Sequence, residues 1–301
     1  MGRVEKRPAI PRTNSALPVA MGFRYQLYGV VIDSAYPLSQ ARSTRAPDER
    51  AADIQLVQGD SSEFLSGCDG QPPAPTGRAW FQYARRPDGR DHVRWPALFE
   101  FLIEADGRRI SGHPLRRTVS QETFQTYLLT QALSFAFLKL DIEPLHATTV
   151  VFKNKALAFV GDCGYGKSTL AAACLAAGFR VLTDDALVLK EAGSTCLAQP
   201  GPPRLKLMPS VAKRFFGASA AGCPLNPLTT KLIIALDRAQ HVDVPVPLHA
   251  VYVLRPRPPR KRARITIRRL SHLAAWRELT AAAFNLVAKD PARLRAQFAW
   301  A

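Results

Sequence analysis

The sequence predicts an α/β protein in which a mainly β N-terminal part precedes a domain built on a strand, a glycine-rich turn and a helix. Three observations carry that expectation. As far as about residue 115, short aromatic and β-branched runs alternate with Pro/Gly turns. From Thr118 to Leu140 the apolar residues recur at helical spacing without a Pro or Gly. Beyond that, the apolar run Ala156–Val160 leads directly into a turn bearing Gly161, Gly164 and Gly166, followed by helix formers as far as Ala177.

The order of elements follows from local chemistry. Residues 1–20, basic and Pro-interrupted, read as a tail with no apolar core of a secretory signal. Residues 21–115 form the mainly β unit. Phe23–Ile32 reads as one strand, and Ile54–Gln58, Trp80–Ala84 and Leu98–Glu104 as further strands. Residues 116–301 form the second unit. In it, Thr148–Phe152 and Ala156–Val160 pair through a turn at Lys153–Lys155, and Lys167–Ala177 is a helix stopped by Gly178. Arg180–Leu182 is a strand and residues 199–209 a Pro-rich loop. Leu232–Leu236, Ala250–Leu254 and Ile265–Leu270 are later strands. Ser271 caps a helix with Leu273, Trp276, Leu279, Ala283 and Leu286 inward, and Asp290-Pro291 opens a last helix.

Composition narrows the function classes. At 301 residues and 47% apolar, the chain has material for a real core, which excludes wholesale disorder. No apolar run reaches the ~18 residues of a membrane helix. Five cysteines, scattered and without C-x-x-C, argue against a disulfide scaffold and predict a reducing, cytoplasmic setting. The formal charge of +17 comes with 30 Arg against 11 Lys, which suits solvated arginines as well as an anionic partner. Arg255–Arg269 packs eight cations into fifteen residues but no aromatic stacking residue, so nucleic acid is an unlikely partner.

Gly161-Asp162-Cys163-Gly164-Tyr165-Gly166-Lys167-Ser168 fits G-x-x-x-x-G-K-[ST], between a strand and a helix as its mechanism requires. Glycines allow torsions and close approach that a Cβ blocks. Backbone N–H groups then converge on phosphate oxygens at a helix N-terminus. Lys167 supplies a mobile charge for the β- and γ-phosphates, the Ser168 hydroxyl suits Mg²⁺, and Thr169 completes the nucleotide-binding stretch. Thr183-Asp184-Asp185 ends the next strand, which a right-handed crossover lays parallel to Ala156–Val160, beside the loop. Residues alternate along an extended chain, so one aspartate faces the metal and the other an acceptor. Arg204-Leu205-Lys206 offers a further cation for the transferred group. Cys163 is a reactive-thiol candidate that catalysis does not need.

His146, the loop and Gly178–Asp185 together resemble the catalytic core of HPr serine kinase/phosphorylases. They are closer still to the HPr-kinase-like proteins encoded with lasso peptide precursors, through Tyr25–Gly29, Leu145-His146-Ala147 and the run 167–172. The resemblance is specific over residues 145–189. It implies an HPr-kinase-type P-loop kinase domain that uses ATP and Mg²⁺ to phosphorylate a serine of a protein or peptide, in the nearest branch the C-terminal serine of a lasso precursor. It assigns Asp184 as base toward the acceptor, Lys167 and His146 beside the phosphates, and Ser168 and Asp185 to the metal. Thr169, Phe179 and the lack of E-x-R-G depart from the bifunctional enzymes and weigh against phosphorolysis. An HPr-type carrier acceptor, a small-molecule kinase, a nucleotide-switch ATPase with an anionic partner, and a homo-oligomer all stay open at this point.

Overall fold

A computed structural model describes residues 22–39, 41, 50–65, 80–217, 220–255, 265–284, 293 and 295. The expected tail at 1–20, the core of the Arg-rich stretch at 256–264, and Leu286, Asp290 and Pro291 lie outside these; of the last helix, Arg293 and Arg295 are described and helical. The described residues form a mixed α/β fold with three sheets.

The first sheet is made of β1 (Phe23–Leu27), β2 (Val30–Ser34), β3 (Ile54–Gln58), β4 (Gln82–Arg85), β5 (Asp91–Trp95), β6 (Phe99–Ile103) and β7 (Arg109–Pro114), with a short helix α1 (Ser61–Leu65) after β3. Its order is β1-β2-β3-β7-β6-β5-β4. The expected single strand Phe23–Ile32 is instead a hairpin. Tyr28 and Gly29 both take positive φ, 53° and 75°, the torsions of a two-residue hairpin turn. An aromatic at a left-handed position hid that turn from sequence.

The helical stretch is α2 (Gln121–Tyr127), a π-helical turn over Leu128–Ala132, and α3 (Leu133–Lys139). Ser120 caps it by accepting from Thr123 N at 3.1 Å. Its buried face, Leu128, Leu129, Leu133, Phe135 and Phe137, joins the core of the first sheet with Trp95, Phe99 and Phe101. Each such side chain contributes about 1.5–3 kcal/mol through burial. The same cluster takes in Ala186, Val188, Leu225 and Ile233, so the apolar interior runs on into the second half of the chain.

The second sheet holds β8 (Leu145–Phe152), β9 (Lys155–Val160), β10 (Arg180–Thr183), β11 (Ala186–Leu187), β12 (Leu189–Ala192), β13 (Thr195–Ala198) and β17 (Val246–Val253), in the order β10-β8-β9-β17-β13-β12, with β11 also on β8. Between β9 and β10 runs α4 (Lys167–Ala176). Because β8 is antiparallel to both, β9 and β10 point the same way, as the crossover argument requires, but one strand apart. The sheet is therefore mixed, its parallel pair being β9–β17.

A third, antiparallel sheet, β14 (Arg204–Leu207), β16 (Thr229–Ala235) and β15 (Cys223–Asn226), stands against α4 together with α5 (Pro209–Phe216). The expected loop at 199–209 thus contains a strand. Residues 265–270 form no strand: Ile265 and Ile267 are 94% and 74% exposed, and an alternating pattern without a pairing edge stays irregular. The helix α6 (His272–Ala281) is capped by Ser271 as expected, yet Leu273 faces out at 67% exposure while Leu279 packs inward.

Candidate functional site

The phosphate-loop residues run from the end of β9 to the start of α4. Gly161, Gly164 and Gly166 have φ of 140°, 91° and 90°, so only glycine holds this turn without strain. A Cβ on Gly164 or Gly166 would meet nothing within 4 Å, which leaves the mouth of the loop open. The first amides of α4 point out of the helix unpaired by it, as at any helix N-terminus. Lys167 is largely buried and folded back, with Nζ donating to Gly161 O at 2.6 Å and Asp162 O at 3.2 Å. Burial lowers its proton affinity.

Asp184 and Asp185 lie in a bulge. The chain leaves β8 after Thr183 and returns at Ala186, and the Thr183 hydroxyl spans the gap by donating to Ala186 O at 2.7 Å. Asp185 takes φ 73°. The expected alternation of the two side chains fails for that reason, and both reach Lys206. Asp184 is 3% exposed and accepts three bonds: Thr148 Oγ1 at 2.6 Å and Ser168 Oγ at 2.9 Å on Oδ1, and Lys206 N at 2.9 Å on Oδ2. Asp185 Oδ2 touches Lys206 Nζ as an ion contact, and is a buried oxygen without an aligned donor. Of the pair, Asp184 is the enclosed carboxylate and Asp185 the one lining the cavity.

That cavity measures about 340 Å³ and is bounded by Gly164, Lys167, Ser168, Thr169, Asp185 and Lys206, among others. A second of similar size adjoins it, bounded by Gly161, Asp162, Glu278 and Phe284. His146, Gln131 and Cys163 border both. The Nδ1–H of His146 donates to Asp185 O at 3.0 Å, which leaves Nε2 as the lone-pair nitrogen. Burial, then the charges of Lys167 and Lys206, push its pKa down to about 3, so it is neutral. Tyr165 lines neither cavity; its amide donates to Asp162 O at 3.2 Å and braces the turn.

Several residues at the site carry no local sequence signal. Thr148 reaches Asp184 from β8, Lys231 enters from β16, and Trp80 and Tyr127 come from the N-terminal half. Arg204, expected beside the phosphoryl group, is instead buried behind it, donating to Thr126 O at 3.3 Å and Thr130 Oγ1 at 2.8 Å, with its pKa lowered by burial to about 10. Gly201 lets this layer close. A Cβ there would lie 2.9 Å from the Tyr28 ring and inside contact distance of Thr183 Oγ1.

Fold and site together define a mixed α/β protein with a glycine-rich turn, between a strand and a helix, set against a carboxylate pair. No protein-family model and no curated protein matches the chain. Among solved structures it is similar to the Hpr(Ser) kinase/phosphatase from Coxiella burnetii, at 17% identity and a TM-score of 0.26, over 38% of this chain and 71% of that one. Among the described residues, no helix is long and apolar enough to cross a membrane.

Proposed function

We propose that the chain is a phosphotransferase that moves the γ-phosphoryl group of ATP, with Mg²⁺, to a serine hydroxyl of a protein or peptide. The observation that supports this is the Ser168–Asp184 hydrogen bond, which joins the loop hydroxyl to the aspartate pair at the wall of a cavity that also holds Lys167. Hydroxyl and carboxylate oxygens are the hard donors Mg²⁺ prefers, and Mg²⁺ completes its shell with water and phosphate. Among the described residues no three His, Cys, Asp or Glu side chains gather into a metal cage, and such a site requires none. Ser168 and the aspartate pair would hold Mg²⁺, which would offset the phosphate charge.

The chain's own groups then have separable tasks. Amides at the start of α4 hold phosphate oxygens, and Lys167 exchanges two loop carbonyls for them. The geometry favours a division of labour opposite to the one the resemblance implies. Asp184, accepting from three donors, anchors Ser168 on the metal side. Asp185, which lines the cavity and whose Oδ2 has no aligned donor, takes the proton of the acceptor hydroxyl as the oxygen attacks phosphorus and the bond to the ADP oxygen breaks. Neutral His146 adds an acceptor nitrogen where the two cavities meet. The finer reading, a lasso precursor's C-terminal serine as acceptor, is drawn from the resemblance over 145–189.

The test combines nucleotide titration with γ-labelled ATP offered to serine peptides, a lasso-type precursor included. We expect saturable MgATP binding, label on a peptide serine, and loss of both in Lys167→Ala. Absence of nucleotide binding ends the proposal. Hydrolysis stimulated by nucleic acid with no labelled polypeptide would favour the switch ATPase instead.

A further inference from the structure

Resting on the nucleotide reading above, we infer that Lys206 and Lys231, on one face of the three-stranded sheet, grip the γ-phosphoryl group, and that this grip releases Asp185 from Lys206. Register places the two lysines together. Lys206 of β14 pairs with Ile233 of β16, and the two-residue period of a strand puts Lys231 on the same face as Ile233. Both lysines border the cavity opposite the start of α4, where Lys167 and Ser168 stand. The cavity lining thus carries three lysines and one acid, Asp185. Asp184, enclosed behind the wall by Thr148, Ser168 and the Lys206 amide, adds a second negative charge, so three lysines stand against two carboxylates.

The lysines also oppose one another. Their like charges face the same cavity. Excess positive charge on a partly dry wall is a standing cost to the folded protein, and an anion with several oxygens removes it. Position selects which phosphate. Lys167 reaches the β- and γ-phosphates from the loop side, whereas Lys206 touches Asp185, the carboxylate facing the acceptor. A cation there lies where the transferred group meets its acceptor. Phosphoryl oxygens compete with Asp185 for Lys206, and Asp185 is freed as the nucleotide becomes complete.

The inference is tested by equilibrium titration of MgADP and of a non-hydrolysable MgATP analogue into wild type, Lys206→Met, Lys231→Met and Lys206→Arg. The wild type should prefer the triphosphate by about tenfold or more, the value of one charge-assisted contact. Each Met variant should bind MgADP within about twofold of wild type and lose most of that preference, with Lys206→Arg retaining part of it. A wild-type preference in both Met variants, or a parallel loss of both nucleotides, overturns the inference. Lys231 is only half-buried, so Lys231→Met decides the matter should Lys206→Met fail to fold. A wild type that binds neither nucleotide defeats the phosphotransferase reading and this one with it; one that binds both equally defeats this one alone.

Discussion

Two adjacent aspartates in the same bulge differ in how their oxygens are spent, and replacing each by Asn should separate nucleotide binding from phosphoryl transfer. Asp184 receives two hydroxyls and an amide while 3% exposed. In Asp184→Asn an NH₂ faces donors on at least one side. A hydroxyl can rotate to accept, but the Lys206 amide cannot. We expect a loss of about 1–3 kcal/mol in urea denaturation and weakened Mg²⁺-dependent nucleotide binding. Asp185→Asn keeps its side-chain volume but removes the acid that faces Lys206, so the nucleotide-free protein should lose stability, MgATP affinity should stay at or above wild type, and label transfer should be lost. The opposite pattern, intact nucleotide binding with lost transfer in Asp184→Asn and weakened Mg²⁺-dependent binding in Asp185→Asn, would reverse the assigned roles.

What brings those aspartates to the loop is the packing of strands and helices behind them. Arg204 on β14 reaches the π-helical turn, where the Thr130 hydroxyl accepts from the guanidinium at 2.8 Å and itself donates to Thr126 O at 2.7 Å. A π turn inside a helix marks a functional position more often than chance, and here Thr126, Tyr127 and Gln131 all border the cavity. Thr130→Val keeps the shape and removes an acceptor from a buried cation. It should cost about 1–3 kcal/mol by chemical denaturation, with Thr130→Ser restoring most of it. A neutral Val variant would mean that the guanidinium contact is incidental. Little of this was legible in the sequence. The strand, glycine turn and helix from Ala156 to Gly178 were, because a local apolar period and obligatory glycine torsions are short-range properties. The run of Asp184 and Asp185 beside Ser168 followed from one crossover. The bulge, the hairpin at Tyr28-Gly29 and the strand within the Pro-rich stretch did not, since each is held by partners tens to more than a hundred residues away: Tyr28 N donates to Pro200 O at 2.7 Å. Lys231 and Thr148 were invisible for the same reason.

Across the entire chain, stability should rise with pH into a range where most proteins have passed their maximum. Three basic groups lining the cavity have folded-state pKa values below their free values, all mainly through burial: Lys167; His146, from 6.5 to about 3; and Lys206, from 10.5 to about 8, the last two the larger shifts. The unfolded chain binds these protons more readily than the folded one. Linkage then gives the sign: the contribution of His146 is complete above about pH 6.5 and is lost as pH falls toward 3, and that of Lys206 is complete above about pH 10.5 and is lost as pH falls toward 8. Denaturation midpoints should accordingly climb from pH 5 to pH 9, rather than peak between 5 and 8. His146→Gln should flatten the segment between pH 4 and 6.5 by a few kcal/mol, because glutamine carries no titrating proton there. MgATP should also flatten it, since phosphate oxygens beside Lys206 and His146 favour their charged forms and raise both folded-state pKa values. Equal slopes for wild type and His146→Gln over that window would show that the imidazole is not the group held neutral.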